Sequence, residues 1–135
     1  MEKILNEYSH TVRLVIKFYP YKYRDYARSA AEAALAAYDQ GKFQEMHTLL
    51  LKRSPKLDRN CLISYAREIG LDMNAFMRAI DSQKNDWIIE RDIKLALELD
   101  LFNTPAFFVN GRKVVGNVPY AYLKKIVEEE LHAKS

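Results

Sequence analysis

The chain has one cysteine, Cys61, and that scarcity excludes a good deal. A single thiol forbids an intrachain disulfide, and a mixed disulfide formed at it has no second thiol to resolve it. It says nothing about redox compartment. Glycine and proline are sparse, four of each, so there is no low-complexity linker. No glycine-rich phosphate loop, nucleophile elbow or paired-carboxylate motif is present. No apolar run approaches the roughly 20 residues of a membrane-spanning helix. The opening "MEKILNEYSH" is charged from its second residue and shows no signal peptide. Charge is nearly balanced at +3 and scattered, so nothing demands an anionic partner. What remains is 135 residues, about half of them apolar, enough for one domain with a core that needs no disulfide staples.

Periodicity then orders the chain. "MEKILNEY" places Ile4, Leu5 and Tyr8 at helical spacing but has no N-cap, as if it were the end of a helix. In "VRLVIKFYP" the residues alternate, with Val12, Leu14, Ile16 and Phe18 on one face and Arg13 and Lys17 on the other. This predicts a half-buried strand over 12–18, ended by Pro20. Five helices follow. The first spans 24–40, with a stripe of Ala27, Ala30, Ala31, Ala34, Ala37 and Tyr38 and a stop at Gly41. The second carries Phe43, Met46, Leu49 and Leu50. The third is capped by Asp58 and stopped by Gly70, and the fourth is capped by Asp72. The fifth runs over 85–99 through Trp87, Ile89, Ile93, Ala96 and Leu97. The period then changes. Ala106 to Val109 reads as a short strand buried on both faces. Asn110-Gly111 is a strong hairpin signal, Arg112 to Val115 returns, and 120–131 closes as an amphipathic helix.

Few side chains point to chemistry by themselves. Cys61 lies on a helix with Leu62 and Tyr65 and reads as a small core or boundary residue. His10, His47 and His132 have no metal-ligand spacing, and His47 is expected to hydrogen-bond on a helix face. "YPYKYRDYAR" interleaves tyrosines with Lys22, Arg24 and Arg28, a mixture that can bind single-stranded nucleic acid. With the remaining charge balanced, a loop packing its tyrosines beneath it is the favoured reading, and no nucleic acid, membrane, metal or cofactor is expected. Thr104-Pro105 sits at the start of a strand, where a proline costs no ladder bond.

Several stretches together resemble the DsbA-like branch of the thioredoxin superfamily: "VRLVIKFYPY", "YARSAAEAALAAYDQGKFQEMHTLL", "SYAREIGLDMNAF" and "TPAFFVNGRKVVGNVPY". The likeness is collinear over nearly the whole chain. It implies an α/β fold: an incomplete thioredoxin-like fold with a multi-helix insertion between the second core strand and the cis-proline hairpin. Residues 1–20 and 101–135 would form the thioredoxin-like part of a single domain, and 21–100 the insertion. The resemblance implies thiol:disulfide exchange on protein thiols, with a cis peptide at Thr104-Pro105 and these two residues on the substrate side. The family's CxxC pair would lie upstream of "MEKILNEY". Asp100 and Asn103 stand where the family often has glycine, and both tolerate left-handed backbone.

By the same resemblance no catalytic residue is expected within this chain, and it should be inactive as given. A non-catalytic peptide- or protein-binding module is the alternative, as is a glutathione-transferase relative of kappa or isomerase type. The family's central strand would lie between 12–18 and 106–109. Its loss would leave roughly ten backbone bonds of about 1 kcal/mol each unmade. Three outcomes are open: the flanking strands pair directly, a second copy fills the gap, or the chain is a piece of a longer protein, the origin favoured here. A homodimer is expected. The chain as given would be cytoplasmic, or periplasmic or secreted if an N-terminal part precedes it.

Overall fold

The computed structural model describes residues 1–133. The elements in chain order are α1 (Glu2–Glu7), α2 (Ala27–Tyr38), α3 (Phe43–Arg53), α4 (Arg59–Glu68), α5 (Met73–Asp81), α6 (Asp86–Glu98), β1 (Ala106–Val109), β2 (Arg112–Val115) and α7 (Tyr120–His132). They divide into two compact units. One combines Met1–Ile16 with the chain from Ala96 onward, and the other is Lys17–Leu95.

The helical unit is built around α2. Residues 31–37 are all buried, because alanine side chains let neighbouring helices approach on several sides. Met46, Leu50, Leu62, Tyr65, Ala66, Phe76 and Ala79 from α3, α4 and α5 complete this core. Helix starts follow from local chemistry. Asp58 accepts the N–H groups of Asn60 and Cys61, and Asp72 accepts that of Ala75. Gly41 and Gly70 take φ of +71° and +74° just past their helices, a backbone that costs glycine little. Gln40 and Asp72 join two loops by a reciprocal pair of hydrogen bonds, 3.2 and 2.8 Å. The Ser54–Pro55 peptide is cis. The face of α6 that is buried consists of Ile89, Asp92 and Ala96, whereas Trp87 and Leu97, expected inside, are 61% and 49% exposed. Tyr38 is likewise exposed, at the end of the alanine stripe.

The other unit holds the sheet, which has two strands only. β1 and β2 pair antiparallel, Ala106 with Val115 and Val109 with Arg112. The strand expected over 12–18 does not form: these residues belong to no ladder or helix. The alternating pattern is present, but a strand exists only by pairing, and among the described residues no backbone–backbone hydrogen bond involves residues 13–17. β1 is not buried on both faces either. Phe108 is 42% exposed, as fits a sheet of two strands that ends at β1. Beneath the hairpin, Ile4 of α1 and Leu123 and Val127 of α7 form a small core, onto which Val12 and Val109 pack. Polar bonds tie α1 to α7: Tyr8 donates to Glu128 at 2.7 Å, and Lys124 to Glu7 at 2.7 Å.

Candidate functional site

The loop from α6 into β1 is shaped by backbone chemistry at each end. α6 ends at Glu98; just past it Asp100 adopts a left-handed φ of +53°, and Leu101 donates its N–H back to the Ala96 carbonyl at 2.9 Å. Asn103, the other position where left-handed backbone was allowed for, has no positive φ. Lys113 on β2 donates from Nζ to the Leu99 and Asp100 carbonyls at 2.9 and 3.3 Å, bonding the turn just past the helix to the hairpin. The Thr104–Pro105 peptide is cis. The Pro105 carbonyl accepts the N–H of Gly116 at 2.8 Å, so the proline is clamped to the far end of β2. Gly116 needs its φ of +94° to turn there. The hairpin turn has φ of +49° at Asn110 and +93° at Gly111, both positive as in a type I′ turn.

These contacts hold an exposed surface. Phe102 is 60% exposed, and Asn103, Thr104 and Pro105 are all exposed beside it. The bond from Gly116 also fixes the direction of the strand's groups. Pro105, Phe107 and Val109 face β2, so Ala106 and Phe108 turn their N–H and C=O outward along the free edge. An apolar side chain next to an open strand edge is the arrangement that captures extended peptide: main-chain bonds supply affinity and side-chain contacts supply selection.

Cys61 lies elsewhere, in the first turn of α4 in the helical unit, half-buried and free. A hydrogen bond to the Asp58 carboxylate, then burial, pushes its thiol up rather than down. The cap that starts α4 therefore makes this sulfur less nucleophilic at neutral pH. His47 stacks on Phe43 with ring centroids 5.3 Å apart. No hydrogen bond to it is found among the described residues, and burial lowers its pKa. The tyrosines of residues 19–23 pack on one another, Tyr19 edge-on to Tyr21 and Tyr21 stacked on Tyr23 at 5.0 Å. An open cleft of about 280 Å³ next to them is lined by Tyr21, Lys22, Arg24 and Arg28 among others. Among the described residues no cluster of acidic, histidine or cysteine side chains could hold a metal ion.

Two buried acids escaped the sequence reading. Asp92 is 3% exposed and accepts from Lys17 Nζ at 3.0 Å, from the Phe18 N–H at 3.1 Å and from Arg91 at 3.2 Å. Glu32, in the middle of the alanine stripe, is 6% exposed, and among the described residues neither of its carboxylate oxygens has a hydrogen-bond partner. Burial pushes its pKa up and the nearby Asp86 carboxylate adds to this, against the Arg28 guanidinium.

The family model for a DSBA-like thioredoxin domain matches residues 1–128. The chain belongs to this family. The DSBA-like domain is 30% identical to a thioredoxin-like oxidoreductase from Silicibacter pomeroyi DSS-3. Its crystal structure superposes with a TM-score of 0.84 over 99% of this chain and 76% of that one. The thiol-disulfide exchange protein alpha-DsbA2 from Wolbachia pipientis shares the fold at a TM-score of 0.83 and 22% identity, over 95% of this chain and 69% of that one. Among curated proteins it is 41% identical over 95 residues to Na(+)/H(+) antiporter NhaA 3 of Salinispora tropica, covering 70% of this chain and 14% of the antiporter. It is 32% identical over 117 residues to the NhaA antiporter of Herminiimonas arsenicoxydans, covering 87% and 18%. The domain thus spans less than a fifth of the length of these curated relatives. Among its described residues no helix is long and apolar enough to cross a membrane.

Proposed function

We propose that this DSBA-like domain supplies the substrate-docking part of thiol:disulfide exchange on proteins, with Thr104 and Pro105 presenting the edge on which an extended substrate segment lies. The observation that carries this reading is the exposed cis Thr104–Pro105 peptide, braced by Gly116 on one side and flanked by Phe102 on the other. Residues 1–20 with 101–135 serve as the thioredoxin-like part and 21–100 as a helical insertion. The working assembly is a homodimer.

The chemistry limits what the chain does alone. A thiolate that attacks a protein disulfide R–S–S–R′ forms a mixed disulfide with one sulfur and expels the other as R′–S⁻. Turnover then needs a second thiolate to attack that mixed disulfide and release R–S⁻. Cys61 is the only cysteine, and its thiol is held protonated by Asp58. The domain by itself therefore binds without turning over. This favours a docking module whose reactive pair is carried by other residues than these.

Two measurements test the reading. Amide shifts of the ¹⁵N-labelled domain, titrated with an extended, cysteine-containing peptide, should move first at residues 102–106. Shifts confined to the helical unit would remove the docking edge. Reduction of insulin by dithiothreitol should run no faster with the domain than without it. A rate enhancement that survives Cys61→Ser would show chemistry outside this account.

A further inference from the structure

Glu32 is buried in the helical unit, and among the described residues neither of its carboxylate oxygens has a hydrogen-bond partner. Buried polar atoms are nearly always bonded, so an orphaned carboxyl group calls for a physical reason. Arg28 stands one turn earlier on the same helix, four residues away, where helical side chains meet. Side chains on a helix lean toward its start, which carries the Glu32 carboxyl over that turn. Yet the Arg28 guanidinium bonds across to α6 instead. Its Nε donates to Asp86 at 2.9 Å, and its Nη2 pairs with Asp86 and with Glu90, the latter at 2.7 Å.

The groups around Glu32 are few. Burial opposes its charge most and the Asp86 carboxylate next, while the Arg28 guanidinium and the Asn85 N–H favour it less. Glu90 reaches the cluster through Arg28. Asp92, further along α6, is already bonded to Lys17, Phe18 and Arg91. From α3, α4 and α5, which also pack on α2, no titratable group acts on Glu32 among the described residues. Arg28 is therefore the cation to which an ionised Glu32 can turn.

We propose that Arg28 changes partner when Glu32 loses its proton to solvent: it leaves Asp86 and Glu90 and turns inward to the Glu32 carboxylate, so the polar catch between α2 and α6 is closed while Glu32 is protonated and open once it is ionised. Relative strengths favour the exchange. Arg28, Asp86 and Glu90 are all partly exposed, and ion pairs open to water are weak. A buried carboxylate without a partner is costly, and an arginine on the same helix face relieves much of that cost. The closed form belongs to acid, and the open form to the pH range above the ordinary carboxylate value, because burial raises the value at which Glu32 ionises. Ala31, Leu35 and Ile89 stay packed in either form, so the release is confined to the first turn of α6.

Trp87, the chain's only tryptophan, follows Asp86 directly and reports on that turn. The test titrates the full chain from acid to mildly alkaline pH, with NMR of its arginine and glutamate side chains and Trp87 fluorescence in parallel. The Arg28 Nε–H resonance and the Trp87 emission should each move in one step, at the midpoint of the Glu32 carboxyl carbon. Glu32→Gln should abolish both steps. Asp86→Asn should lower the midpoint by about half a pH unit or more, because the repelling charge and the competing acceptor are both removed. An Arg28 resonance or a Trp87 emission that ignores the Glu32 midpoint overturns the proposal. So does a step that survives in Glu32→Gln, which would belong to another group such as His47. A Glu32 carboxyl that shows no midpoint in this range overturns it as well.

Discussion

The backbone N–H of Phe18 is held by a side chain from a distant helix: Asp92 Oδ2 accepts it at 3.1 Å while Oδ1 accepts Lys17 at 3.0 Å. A buried carboxylate thus takes the place of the ladder partner that this residue lacks.

Replacing Asp92 tests how much that bond contributes. Asp92→Ala leaves the Phe18 N–H unsatisfied and should cost about 2–3 kcal/mol, the range for a bond to a buried charged group. Asp92→Asn keeps an acceptor and loses only pairing to the half-exposed Lys17 and Arg91, so about 1 kcal/mol is expected. Urea midpoints at fixed m-value give both numbers. Equal losses for the two variants would assign the effect to charge instead of the backbone bond.

Glu32 sets a pH dependence. Burial raises its pKa above the ordinary carboxylate value, so the folded state keeps a proton that the unfolded state has released. Stability is therefore fully present below the unfolded pKa and falls as pH rises through the interval up to the raised folded value. Glu32→Gln should flatten that decline, matching the parent in acid and exceeding it near neutrality. Thermal midpoints of both proteins from pH 4 to pH 8 would show the divergence, and parallel curves would mean Glu32 ionises normally.

Cys61 should be a slow thiol. Its bond to Asp58 favours the protonated form, so alkylation by iodoacetamide at pH 7.5 should lag a free cysteine peptide. Asp58→Asn should speed the reaction, since it removes the carboxylate whose hydrogen bond is the first cause of the raised thiol pKa. A thiol as fast as the peptide would contradict the assigned bond.

Asp100→Gly should stabilise the sheet-bearing unit. Aspartate at φ of +53° carries left-handed strain that glycine does not, and the Lys113 bond uses the backbone carbonyl and survives. Offsetting glycine's greater freedom when unfolded, a net gain of about 0.5 kcal/mol is expected. A lower melting temperature would show that the Asp100 side chain has a role of its own.

Much of this was readable from the chain, for physical reasons that differ by element. Asp58 and Asp72 mark helix starts because a cap acts within three residues, and Gly41 and Gly70 mark stops because φ alone decides them. Asn110-Gly111 fixed the hairpin for the same local reason. Residues 12–18 show the limit. Their alternation is a property of the segment, but a ladder is a property of two segments, and the pattern cannot say whether the second is present. Asp92 and Glu32 were hidden differently. Each interrupts an apolar stripe, and two of the partners of Asp92, Phe18 and Lys17, lie 74 and 75 residues away, beyond any periodic signal. At the candidate site, the proline was visible in "NTPAFF", while its clamp to Gly116 and the brace from Lys113 exist only once the hairpin has formed.

The run of buried residues along α2 has an evolutionary corollary. A helix with one inward face tolerates substitution at most positions and is constrained at every third or fourth. Residues 31–37 are buried without a break, so each added methyl group must displace a neighbouring helix. A saturation mutagenesis map of this chain should therefore show a solid seven-residue block of intolerance to larger side chains there instead of a periodic one. The variants that escape it at Ala33 or Ala37 should be glycine or serine.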